Sequence, residues 1–181
     1  MRDFLKKNLT EKDYWVYGLS ENDFDSTVEL THTYIDAIEL RREKIKDEIY
    51  SNNDHDTADD IWDDIAYYTW TESQFLWHFC LWRVQAIFES LIVYTFIPNQ
   101  GGSTLVGLKS KLDKMLNIGY TLEQDKYEEL LLWSNLRNAL SHAPPEEFRP
   151  GPLSEEDCIE YIELVKEICK FWRTEMPSKD K

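Results

Sequence analysis

An all-α bundle of about five helices is the fold class this sequence predicts, on three observations. Gly and Pro number 6 each in 181 residues, too few for the turns an all-β chain needs. Hydrophobic residues make up 42% and aromatics 14%, too much apolar material for a disordered chain despite a net charge of −15. Apolar residues also recur at three-, four- and seven-residue steps, the spacing of a helix face. A mass of 21.6 kDa suits one domain. The expected division is an N-terminal extension over 1–19, the bundle over 20–176 and a tail over 177–181.

Residues 1–19 read as an amphipathic extension with Phe4, Leu5, Leu9, Tyr14, Trp15 and Tyr17 available to pack. A long helix is predicted over about 22–50, because Phe24, Val28, Ile35, Ile38, Ile45 and Ile49 keep helical spacing. Ser26 with Glu29 fits a capping box at its start. The run SNNDHDTADD breaks it. Residues 59–96 should form two helices or one kinked helix, and the part over 74–96 is apolar on almost every face, as a central helix is. The stretch 97–102, IPNQGG, ends it. A shorter helix over 103–117 has Gly119 as its C-terminal cap. Thr121 with Gln124 caps the next, which runs to Ala143 and stops at Pro144-Pro145. Ser154 opens the last helix, with Ile159, Ile162, Val165, Cys169 and Trp172 as its core stripe.

Other classes fall away on composition. The opening MRDFLKKNLTEKDY holds no apolar core of signal-peptide length. The most apolar run, 90–97, is far short of a membrane span, and Arg83 and Glu89 interrupt what precedes it. Cys80, Cys158 and Cys169 form no CxxC pair and leave one odd thiol, which suits reduced, buried cysteines and a cytoplasmic protein. An acidic surface repels phosphates, so no DNA partner is expected and any nucleic-acid chemistry needs a local site.

Three constellations could carry chemistry. Asp54, Asp56, Asp59, Asp60, Asp63 and Asp64, with His55 among them, could hold a metal on shared helix faces, but the spacing is not that of an EF-hand. Acids also gather at a helix N-terminus because the dipole favours them, and that is the preferred explanation, so no metal site is assigned. His78, Gln85 and Glu89 are seven and four apart and form one polar stripe on an apolar helix, with Arg83 beside it. Such a stripe faces partners, water or a site. The aromatics around it, Trp70, Phe75, Trp77, Phe79 and Trp82, are expected in the core rather than as a base-stacking platform.

The sharpest constellation is Leu136-Arg137-Asn138-Ala139-Leu140-Ser141-His142, at the end of a helix. Arg137 offers a planar, permanently charged fork that suits a phosphate. His142 titrates near neutral pH in its free form and sits in a last turn, where the dipole favours imidazolium. Five residues place Arg137 and His142 about 140° apart around an ideal helix, whereas Asn138 and His142 share a face. A histidine in that place can also just bond free carbonyls, and an arginine can pair with a nearby acid.

This segment, in the next-to-last helix of a small α-bundle, resembles the R-x4–6-H motif of the HEPN superfamily, with the polar residue after the arginine, Asn138, also present. WRVQAIFESLI around Glu89 is similar to the helix that carries an acidic or polar residue near that site in many members. The likeness covers about residues 22–175 in architecture. It implies a bundle that dimerises with the motif-bearing helices facing each other, and, for many members, metal-independent endoribonuclease activity in toxin–antitoxin or antiviral defence. Carried over, Arg137 and His142 are catalytic, Asn138 supports them and Glu89 holds one of them in place. Members silenced by nucleotide addition have a tyrosine two residues after the histidine; here that position is Pro144, so such regulation is not expected.

The expected function is therefore an RNA-cleaving homodimer that needs no cofactor or metal. One chain offers one motif histidine, so a site shared across a two-fold axis is expected. The partners expected are RNA, a second copy and an antitoxin or other regulatory protein, with no membrane. Two other classes compete: a non-catalytic dimerisation or interaction module, and an acidic decoy that binds a basic protein.

Overall fold

The computed structural model describes residues 20–97, 104–142 and 152–176; the expected extension, the two proline stops and the tail lie outside the described residues. Among these residues there are five α-helices: α1 (Asn22–Asn52), α2 (His55–Leu91), α3 (Gly107–Asn117), α4 (Gln124–His142) and α5 (Glu155–Glu175). No strand occurs among the described residues.

Helix starts differ most from expectation. Ser26 and Glu29 do not cap α1, which starts upstream of them; there the Ser20 N–H donates to Asp23 Oδ2 at 2.6 Å and the Asn22 N–H to Ser20 Oγ at 3.3 Å. α2 begins four residues earlier than expected and runs unbroken, because Asp54 accepts the Thr57 N–H at 3.1 Å and so caps it. That bond holds the Asp54 carboxyl below its ordinary range. Capping thus accounts for the first of the clustered acids. Thr121 stands three residues before α4 begins at Gln124, and its hydroxyl and N–H both donate to the Glu175 carboxylate, the N–H at 2.9 Å, tying the loop to the end of α5. The Gly119 cap and the Ser154 start stand as expected. Gly119 has φ +101°, and Tyr120 N–H reaches back to Met115 O at 3.1 Å, closing α3. Ser154 and Asp157 form a reciprocal capping box on α5.

α2 is the centre. It continues as a π-helical turn over Ile92–Phe96, and the stretch over His55–Phe96 is apolar and long enough to reach a membrane span by composition, contrary to the short run read from the sequence. More than half of that apolar window, 56%, is buried inside the protein. Cys80, Leu81, Val84, Ile87, Phe88 and Leu91 point into the core against α3, α4 and α5. Trp172 of α5 is fully buried, stacks on Phe88 at 6.1 Å and donates its indole N–H to Thr121 O at 2.8 Å. The buried face of α5 runs through Cys158, Tyr161, Ile162, Val165, Cys169 and Trp172, and Ile159 lies outside it, exposed. All three cysteines are buried and free.

The expectation that the α2 aromatics fill the core holds for Trp77 alone. Trp70, Phe75, Phe79 and Trp82 are exposed. Phe75, Phe79 and Trp82 lie opposite the core-facing side of a helix whose other face already fills the core.

Candidate active site

The site forms where α2, α3 and α4 meet. Position 89 follows 85 by four residues, so Gln85 and Glu89 stack on one face of α2 and both turn toward α4. Gln85 is buried and donates from Nε2 to Glu89 Oε1 at 2.9 Å and to Ser134 Oγ of α4 at 3.2 Å. Glu89 is only 12% exposed, and a carboxylate that deep needs compensation. Lys111 of α3, equally buried, makes a tight ion pair with Glu89 Oε2. Arg137 of α4 approaches the other oxygen at 3.9 Å, longer than a hydrogen bond.

Arg137 is held but not saturated. Its Nη1 donates to Asn138 Oδ1 at 2.9 Å, which bends the side chain toward the helix face that positions 138 and 142 share. Among the described residues its Nε is buried with no hydrogen-bond partner, as are Gln85 Oε1 and the hydroxyl of Tyr161. Burial, and then the negative charge of Glu89, hold the Tyr161 phenol well above its ordinary range, so it stays protonated. Orphaned polar atoms are unusual in a protein interior, and three of them surround this one charge cluster.

An open cleft of about 610 Å³ lies over the cluster, lined by Gln85, Glu89, Ser134, Arg137 and Asn138, with Lys109 at its α3 edge. Lys109 is engaged by Asp113 at 2.8 Å, an interaction that, with a hydrogen bond from Tyr127, lowers the Asp113 carboxyl pKa. Three of the four residues singled out in the sequence, Arg137, Asn138 and Glu89, therefore stand together on one cleft. His142 is the last residue of α4, and its side chain lies outside the described residues. His78 does not join the network: its ring lies against Phe75 at 6.1 Å, and burial lowers its pKa. Arg83 is not part of it either.

Sequence reading missed Lys111, Ser134 and Tyr161. Ser134 was legible, being four residues before Asn138 on the same helix face. Lys111 and Tyr161 come from other helices and carry no motif. Among the described residues no group of three or more His, Cys, Asp or Glu is placed to hold a metal ion. The chain matches no protein-family model, no curated protein and no solved structure.

Proposed function

We propose that this protein is a metal-independent endoribonuclease of the HEPN type. One observation carries the reading: Arg137 lines an open cleft with its Nη2 3.9 Å from Glu89, too far for a hydrogen bond, while Lys111 already meets the charge of Glu89. A guanidinium held in that way is available to an anion, and a phosphodiester is the anion its fork fits. In the proposed reaction the internal 2′-hydroxyl of RNA attacks the adjacent phosphorus and the 5′-oxygen of the next nucleotide leaves. The products are a 2′,3′-cyclic phosphate and a 5′-hydroxyl. A base takes the 2′-hydroxyl proton and an acid protonates the leaving 5′-oxygen, with His142 filling one of these roles; Arg137 stabilises the phosphorane charge, and Asn138 orients Arg137. Glu89 holds the cations in place from below.

A second reading, a non-catalytic interaction module, draws on the 3.9 Å approach of Arg137 to Glu89, which a purely structural pair would also show. Incubation with single-stranded and structured RNA separates the two. Cleavage to cyclic-phosphate ends is expected from the wild type, in excess EDTA as well as without it, and is expected to vanish in His142→Ala. No cleavage by wild type on any RNA would favour the module. Activity lost to chelator and restored by Mg²⁺ would overturn the mechanism.

A further inference from the structure

The outward face of α2 carries a row of rings that nothing in the described chain covers. Tyr68, Phe75 and Trp82 are seven residues apart and Phe79 is four beyond Phe75, so all four lie within about 60° around the helix axis. They are between 45% and 67% exposed. Single exposed hydrophobics are ordinary, but an aligned row marks an interaction surface. Two further observations say what kind. Over residues 65–82 the one Asp, Glu, Lys or Arg is Glu72, and Arg41 pairs with it at 2.5 Å. On a chain of net charge −15, so long a stretch with one paired charge sets little repulsion against a like molecule. Next, the N-terminal half of α2 takes its partners from α1: Tyr50 with Asp59, Arg41 with Glu72, and Arg42 and Lys46 over the Trp62 ring. Two helices alone enclose no core, whereas two such hairpins laid together make a four-helix bundle.

We propose that a second copy of this chain covers the row, with the two α2 helices antiparallel across a two-fold axis at Phe75. The spacing is self-complementary: Tyr68 and Trp82 are each seven residues from Phe75, so Tyr68 of one copy meets Trp82 of the other. Four half-exposed rings offer on the order of 400 Å² per copy. Tyr67, Thr71, His78 and Ala86 flank them and extend the patch toward the ~800 Å² that a standard interface takes from each partner. Glu89 is fourteen residues beyond the axis, about 21 Å along the helix, so both clefts stay open. This surface is not the motif-bearing helix, and the proposal does not depend on ribonuclease activity.

Sedimentation of the full chain at tens of micromolar tests it. The expected mass is twice 21.6 kDa, with association strengthening as salt screens the acidic surfaces. Phe75→Glu and Phe79→Glu should each raise the dimer Kd roughly 30- to 1000-fold, with circular dichroism unchanged because both positions are exposed. Should either variant unfold, Phe75→Cys serves instead: mild oxidation should link two copies at the axis, and a Tyr34→Cys control should not link. A wild-type monomer, or a dimer indifferent to these changes, would overturn the proposal. So would a monomer that dimerises once residues 1–19 are removed, which makes that segment the cover. A monomer whose RNA binding falls in Phe79→Glu would assign the row to nucleic acid instead.

Discussion

Glu89 shows how one buried charge organises a site. Alone on an apolar helix it would be intolerable; with Lys111, Gln85 and Arg137 around it, it anchors three helices. Glu89→Ala should destabilise the protein by about 3 kcal/mol, because it strands two largely buried cations. Urea titration should also show the double variant Glu89→Leu/Lys111→Met more stable than either single change. Equal stability of Glu89→Ala and wild type would mean that the cluster holds nothing together. Arg137→Lys keeps the charge but loses the fork, and about 2–4 kcal/mol of transition-state stabilisation should go with it, a rate drop of roughly 30- to 1000-fold. Melting temperature should stay near wild type, since Nε is already unpaired. His78 gives a pH signature. Burial lowers its folded pKa below the free value of 6.5, so the unfolded chain binds the proton first and stability falls as pH drops through that value. Denaturation midpoints at pH 7.5 and 5 should differ less in His78→Gln than in wild type. The stripe of His78, Gln85 and Glu89 was visible in the sequence as polar positions on an apolar helix. That the last two form a network and the first does not depends on which side chains α4 brings across.

Element boundaries turned on caps that compete. Asp54 starts α2 ahead of the expected position 59 because its carboxylate can reach the Thr57 N–H, three residues on. Asp54→Ala and Ser154→Ala should each cost about 1 kcal/mol in equilibrium unfolding. A loss near zero for Ser154→Ala would show that the capping box is idle. The helical periods, the Gly119 cap and the Ser154 start were legible because each depends on chemistry within one turn. The Ser26–Glu29 and Thr121–Gln124 assignments failed for the opposite reason. Ser20 lies upstream with its own partner, and Thr121 is claimed by Glu175 from the far end of another helix.

For the molecule as a whole, the proposed dimer sets the α2 row, exposed among the described residues, against an acid-rich remainder: the row would admit a second copy and the other faces would resist it. A two-fold axis at Phe75 keeps the clefts apart, so in this arrangement each should work alone, against the shared site expected from one motif histidine per chain. Equal mixing of wild type with His142→Ala, after subunit exchange, should leave one half of the undiluted activity. One quarter, the share of wild-type homodimers under random pairing, would place the axis at the α4 helices and make the site a shared one.

Read alone, the amino-acid order specified the all-helical class, most helix extents and the proximity of Arg137 to Asn138, since periodicity, caps and i, i+1 or i, i+4 neighbours are properties of the chain within a few residues. Lys111 beneath Glu89, Ser134 across from Gln85 and Tyr161 buried beside them were settled by packing. So was the outward turn of Phe75, Phe79 and Trp82. A helix as apolar as α2 offers several faces to the core, and only the neighbours that occupy one side leave another uncovered.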